Sequence, residues 1–398
     1  MSDPDHLNPY LSEMGVTADL SSLVYSFLVI ADSRGHPIGD LASSVPSLAN
    51  GGISRDGRTY VYHLRRNILW QDGVPFTARD IVASWQAVMN PHHNTFVLEG
   101  YDRVASIESP GSTTVVVHLR ERYPPFVSHF FSQEDGKPVL PAHILARSDF
   151  NTGELSTHPV GTGPFRFVSW VRGDRIVLAR FDRYFKGSPK LSRIEMHFIP
   201  NAQTIAVQLQ GHLIDLIAVP QASLLGQYRS IGGVSVGTGP LGLGQTRLDI
   251  NTSKPGLDDV AVRRALAIAV PYDTIMHDVE PLAVQARNVL PPTVLGYEAL
   301  ARRTYDPAAA RNILDRAGWR RGADGVRTRN GIRLAFTVIT VEGFTSFGRI
   351  VLLLQSALRP VGIELAIKTY SYRTTFAPTG PLYGGSFDLA LNGWSLNS

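Results

Sequence analysis

The 398-residue chain contains no cysteine. That absence removes thiol nucleophiles, thiolate metal sites and disulfide bridges, and it is compatible with an oxidising compartment without requiring one. Long apolar runs are missing too, since no stretch approaches the roughly 18 residues of a membrane-spanning helix. The opening MSDPDHLNPY has neither a basic region nor an apolar one, so either the protein stays in the cytoplasm or a leader has been removed. Charge of one sign is nowhere gathered. Lys plus Arg number 38 against 34 Asp plus Glu, and the basic residues are scattered, so the net charge of +4 is weak evidence for nucleic acid. No short-period repeat and no low-complexity tract occurs.

What remains is a globular composition, 43% hydrophobic and 18% charged, on a chain longer than one core usually organises. Two or three domains are expected. The densest local signals lie in LRRNILWQDGVPFTARDIVASWQ, residues 64–86. Tyr60, Tyr62 and Leu64 alternate with Val61 and His63 as a strand, and Asp72-Gly73 offers the positive-φ position of a tight turn. Thr77 followed by Asp80 reads as an N-cap with its capping-box partner, and Ile81, Val82, Trp85, Val88 and Met89 recur at helical spacing until Pro91. Asp72 and Asp80 thus each have a sufficient local role, and Trp70 and Trp85 read as core.

A helix is expected around 18–30, a strand at 113–120, and a hairpin at 165–181 broken by an Arg-Gly-Asp turn. Residues 201–219 read as a helix closed by Gly211 and followed by a short strand. The strand LGQTRLDIN then lies between two Gly/Pro clusters. Beyond it, Asp258 or Asp259 caps a helix through 260–270, and Asp306-Pro307 opens another that stops at Gly318. Strand, helix and strand at 333–340, 347–362 and 363–370, with a further strand at 387–394, imply parallel pairing through a right-handed crossover.

One formal catalytic motif is present. GVSVG at 233–237 matches G-x-S-x-G with Ser235 as nucleophile, but the TGPLGLGQ that follows cannot open the helix this elbow requires. GLGQTR and the two GTGP stretches lack both the dinucleotide fingerprint and the Lys-Ser/Thr of a P-loop. The histidines are scattered, and the adjacent pair His92-His93 points to different faces in any regular structure, so no metal site or cofactor is expected. A two-lobed α/β chain without a catalytic constellation favours binding over turnover.

Residues 54–91, SRDGRTYVYHLRRNILWQDGVPFTARDIVASWQAVMNP, resemble the signature of the extracytoplasmic solute-binding proteins of family 5, which serve peptide, nickel and related ABC transporters. The likeness continues in order through HPVGTGPFRFVSW, FDRYFKGSPKLSRIEMHFI, LQGHLIDL, LDINTSKPGLDDVAVRRALAIAV and YDPAAARNILDRAGW. The resemblance implies an α/β, two-lobed periplasmic-binding-protein-like fold of type II. Its first lobe, 1–240, would carry an extra β-rich subdomain at about 40–155, and its second, 241–398, would begin after hinge strands near 237–250. Similar proteins continue beyond the Gly-Trp segment, so the second lobe is expected to be incomplete at its C-terminus.

The same resemblance implies no catalysis. It implies capture of a small solute, an oligopeptide or dipeptide, in an interlobe cleft and its delivery to ABC transporter permease subunits, at a periplasmic or extracytoplasmic address. The membrane is met only through the permease or a removed lipid anchor. Alternatives are a serine hydrolase using Ser235 or a sensory solute-binding module. In open α/β sheets ligands lie outside the carboxyl ends of the strands, which points to Gly393, Trp394 and Ser395. In peptide-binding relatives this Gly-Trp segment offers backbone hydrogen bonds to an extended ligand. Three residues beyond the tryptophan those relatives commonly carry an Asp that pairs with the peptide α-amino group; here the position is Asn397. Met14 and Gly15, after LNPY, and Gln245 and Thr246, near the hinge, complete the expected ligand set.

Overall fold

In this computed structural model the described residues are 3–12, 14–33, 35–95, 99–218, 224–237, 244–290, 297–377 and 379–395. The chain divides into two compact units at Ile205/Ala206. The expected lobe boundary at 240/241 lies outside the described residues.

In the first unit α1 (Gly15–Val24) precedes an antiparallel pair, β1 (Val29–Ala31) and β2 (Pro37–Gly39). Next come β3 (Thr59–His63), α2 (Ala78–Val88), β4 (Val104–Gly111), β5 (Thr114–Leu119), and the short helices α3 (Phe126–His129) and α4 (Ala142–Leu145). The three strands form one sheet in the order β3-β5-β4; β6 (Phe165–Val171), β7 (Arg175–Arg180) and β8 (Arg193–His197) form another. The alternation at 60–64 is realised as read. Tyr60, Tyr62 and Leu64 are buried, and the Tyr60 ring lies 4.7 Å from Phe126. Gly73 takes φ 95° and donates its N–H to the Trp70 carbonyl at 2.8 Å, closing the turn.

Thr77 and Asp80 form the expected capping box, and Asp80 does more than cap. Its carboxylate accepts from Thr77 N–H at 2.7 Å and from Ala142 N–H at 2.9 Å, joining the start of α2 to α4. Burial raises its pKa above the ordinary 3.8 against the opposing pull of these hydrogen bonds. Asp80→Asn keeps one acceptor and turns an amide donor toward a second N–H. We expect a loss of about 2 kcal/mol at neutral pH. Because folding raises this carboxyl's pKa, the protonation-linked part of its contribution is fully present below about pH 3.8 and is lost as pH rises through the folded value, leaving the hydrogen-bonded part at neutral pH. The stability gap between parent and variant, measured by urea unfolding, should therefore narrow as pH rises. A widening gap would mean that the folded pKa is depressed.

Two sequence expectations need correction in this unit. The helix expected around 18–30 spans Gly15–Val24 instead, with Tyr25 extended. Its end is set from a distance. The Gln71 amide nitrogen lies 2.9 Å from the Val24 carbonyl and 2.7 Å from that of Phe165, and its oxygen accepts from Gly161 N–H at 3.0 Å. The first GTGP stretch is thereby wedged against the backbone of Val24 and Tyr25. Strand β4 went unread because it is a largely exposed edge strand with Pro110 in it and two register shifts against β5.

Helix α5 (Ala202–Gln210) leads into the second unit, which continues with α6 (Leu225–Ser230), β9 (Gly244–Ile250), α7 (Val260–Ile268), α8 (Tyr272–Asp278) and α9 (Pro307–Arg316). A small antiparallel sheet follows, β10 (Arg320–Arg321), β11 (Arg327–Arg329) and β12 (Ile332–Arg333). The chain then forms β13 (Ala335–Val341), α10 (Thr345–Leu358), β14 (Glu364–Tyr370), α11 (Tyr372–Thr375) and β15 (Leu389–Ser395). The main sheet has the order β14-β13-β15-β9. Its first three strands are parallel, as the crossover argument requires, and β9 closes the sheet antiparallel to β15. Helix α10 lays Ile350, Val351 and Leu354 into the same core as Phe336, Val338, Leu389 and Leu391.

Of the two candidate caps, Asp259 is the one for α7, accepting from Ala261 N–H at 2.8 Å, while Asp258 accepts from Gly256 N–H. Asp306 caps α9 as expected. The strand expected after Gly211 is not formed by the described residues 212–218; Leu213 and Leu216 are exposed there, with no neighbouring strand to complete a ladder.

Candidate functional site

Two segments of the expected ligand set meet in the main sheet of the second unit. In the β15–β9 ladder Gly393 is the register partner of Thr246, Trp394 of Gln245, and Ser395 of Gly244. Because β13, β14 and β15 run parallel, these pairs lie at the carboxyl edge of the sheet, where the loops after Val341 and Tyr370 also emerge. The ladder from β15 to β13 stops at Ile339↔Ala390, whereas the ladder to β9 runs to the end of the strand. Strand β13 itself ends at Val341, level with Asn392 in that register, so along 393–395 the side of β15 away from β9 has no strand beside it among the described residues.

Aromatic side chains gather at this edge, and these the sequence reading missed. A Cβ built on Gly393 would sit 3.4 Å from the Phe347 ring, which stacks on exposed Phe344 at 5.0 Å. Tyr372, also exposed, packs on Phe376 at 4.6 Å in the segment that follows β14. The available signal was positional: FTSF and YSYRTTF each begin where a parallel strand ends.

Charge at the edge is held internally. Asp249 takes an ion pair from Arg247 at 2.8 Å and a hydrogen bond from the buried Asn392 amide at 2.8 Å, so β9 and β15 are also joined through side chains. The Gln245 amide donates to the Val289 carbonyl at 2.8 Å.

Met14 and Gly15 belong to the first unit. They start α1, with the Met14 carbonyl accepting from Thr17 and Ala18 N–H, rather than forming a loop. Asn397 lies outside the described residues. Ser235 is exposed on an irregular segment with no strand leading into it, and between it and α7 no helix begins among the described residues, so they show no strand-to-helix elbow of a serine nucleophile. Of the histidine pair, His93 stacks on Phe150 at 4.4 Å while His92 is exposed. Among the described residues no group of three or more His, Cys, Asp or Glu side chains could hold a metal ion. No described helix is long and apolar enough to cross a membrane.

Comparison with known proteins agrees with this architecture. The chain is 25% identical over 408 residues to the oligopeptide-binding protein AppA of Bacillus subtilis, covering 100% of this chain and 73% of that one. It is 29% identical over 347 residues to the dipeptide-binding protein of Escherichia coli, covering 80% and 62% respectively. The crystal structure of NikZ from Campylobacter jejuni in complex with Ni(L-His) superposes with a TM-score of 0.84 at 26% identity, over 98% of this chain and 75% of NikZ. The chain spans about two thirds of the length of the curated relatives it matches. Residues 37–398 match the family described as Bacterial extracellular solute-binding proteins, family 5 Middle. An α/β chain with a parallel-stranded second unit, matched over nearly its whole length, belongs to the family 5 solute-binding proteins.

Proposed function

We propose that this protein captures a short peptide outside the cytoplasmic membrane and delivers it to the permease subunits of an ABC transporter, without chemical turnover. One observation carries the peptide reading. Along 393–395, β15 has a side with no neighbouring strand among the described residues, so an extended peptide can add there as a strand, exchanging main-chain hydrogen bonds. Main-chain recognition is indifferent to ligand sequence. Selectivity is then left to pockets for alternate side chains, and the aromatic rings at this edge supply walls for them. Two relatives, an oligopeptide-binding and a dipeptide-binding protein, support the same cargo class.

Native mass spectrometry of the protein as purified, followed by calorimetry with trialanine, tests this. Retained or titrated peptide is the expected result. Trp394→Ala should weaken trialanine binding about tenfold or more with an unchanged unfolding midpoint, the size of effect expected when an aromatic anchor is truncated. Binding unaffected by the substitution would move the site elsewhere. A nickel–histidine chelate retained in place of peptide would overturn the cargo assignment.

A further inference from the structure

Residues 285–288 are tied to residues 298–303 by three hydrogen bonds. Gln285 donates to the Arg303 carbonyl at 2.8 Å, Arg287 to that of Leu300 at 2.6 Å and Asn288 to that of Glu298 at 2.9 Å. Each bond comes from a side chain. The fourth such bond is donated by Gln245, on the strand that pairs with β15, to the Val289 carbonyl. Leu282, Val284, Val289 and Leu300 are nevertheless exposed. Ordered apolar surface left uncovered beside a binding edge marks a contact face, because a wall fixed in advance costs less ordering entropy when the ligand arrives.

We propose that Gln245 is a positioning residue: by holding the Val289 carbonyl it keeps Val289 beside the carboxyl edge of the sheet, where Val289 selects ligands with aliphatic side chains. This rests on the peptide reading above, and it changes the role expected for Gln245 from ligand contact to support. The chemistry is specific. The bond needs a donor on residue 245, which glutamine has and ionised glutamate lacks.

The test compares trileucine with trialanine by calorimetry. The parent should prefer trileucine by about tenfold, the range that a few buried methylenes supply. Gln245→Glu at pH 7 should reduce that preference to about threefold or less while leaving trialanine binding within about twofold. It should regain the preference near pH 4, where a glutamate carboxyl begins to carry its proton and can donate again. Val289→Ser, at an exposed position that does not endanger folding, should lower the preference at both pH values. Equal weakening of both peptides in Gln245→Glu, or no recovery at low pH, would overturn the positioning role while leaving peptide binding intact. A parent that binds neither peptide would overturn the peptide reading itself.

Discussion

Gly161→Ala is expected to cost the first unit about 4 kcal/mol or more, enough to leave much of it unfolded at physiological temperature. An added Cβ at that position would lie 1.9 Å from the Val24 carbonyl oxygen and 2.6 Å from its carbon, and both obstacles are backbone. Neither obstacle is a flexible side chain that can turn away. The backbone of Val24 and Gly161 is held from both sides by the Gln71 amide, so relief requires breaking partly buried hydrogen bonds as well. Gly226→Ala is the control, because a Cβ there meets nothing within 4 Å and lies in a helix, where alanine is favoured over glycine by about 0.5–1 kcal/mol. Thermal unfolding of the two variants should move in opposite directions. A Gly161→Ala protein as stable as its parent would show that the strands around Phe165 can shift away from α1.

In the second unit the largest single loss is expected at Arg327, which is buried. Its guanidinium donates to the carbonyls of Val361 at 2.8 Å and Trp319 at 2.6 Å and to the Asp315 carboxylate at 2.5 Å, tying α9, the small sheet and the turn after α10 together. Arg327→Ala leaves two carbonyls without their donor and opens space beneath Trp319. The expected cost is about 3–5 kcal/mol, chiefly from two buried carbonyls left unsatisfied and the packing lost around them, since the Asp315 left behind is half exposed. Hydrogen exchange across 307–333 would register it, and a loss below about 1 kcal/mol would mean that water replaces the guanidinium. The pH dependence has a defined sign. The hydrogen bond from Arg327 lowers the pKa of Asp315 below 3.8, so this pair stabilises the folded state above that pH and the benefit fades as pH falls through the depressed value. The variant should therefore lose less stability on acidification than the parent.

Much of this fold could be read from neighbouring residues because the interactions concerned are themselves local. A capping aspartate and its N–H, an Asp-Gly turn and an alternating strand all act within a few positions, and Asp259, Asp306, Gly73 and Tyr60 behave accordingly. The end of α1 was not legible. It depends on Gly161 and on Gln71, 47 positions from its Val24 partner. The edge strand β4 escaped for another reason: largely exposed, irregular in register and carrying Pro110, it has no periodicity to detect.

The candidate site divides along the same line. Gly393 and Trp394 followed from the rule about strand ends together with a family resemblance, and Gln245 and Thr246 from their place near the expected hinge. That the two segments are ladder partners could not be read, since no local pattern encodes the pairing of strands so far apart. The bond from Gln245 to Val289 and the Phe347 ring beside Gly393 likewise join residues whose nearness exists only in the folded sheet.

The position of β9 also bears on how the chain acquires its shape. Among the described residues β9 has one strand neighbour, and the side-chain bond between those two strands joins positions 143 apart. By contrast β6, β7 and β8 pair through successive hairpins within 165–197. Contacts of short separation form early, and those that close long loops wait. A ribosome emits the sheets of the first unit complete before β9 appears. It then holds β9 unpaired, with Leu248 and Ile250 awaiting cover, until β15 has followed it out. During synthesis β9 is thus the segment most open to premature association, and the pairing that builds the candidate site is the last step that protects it.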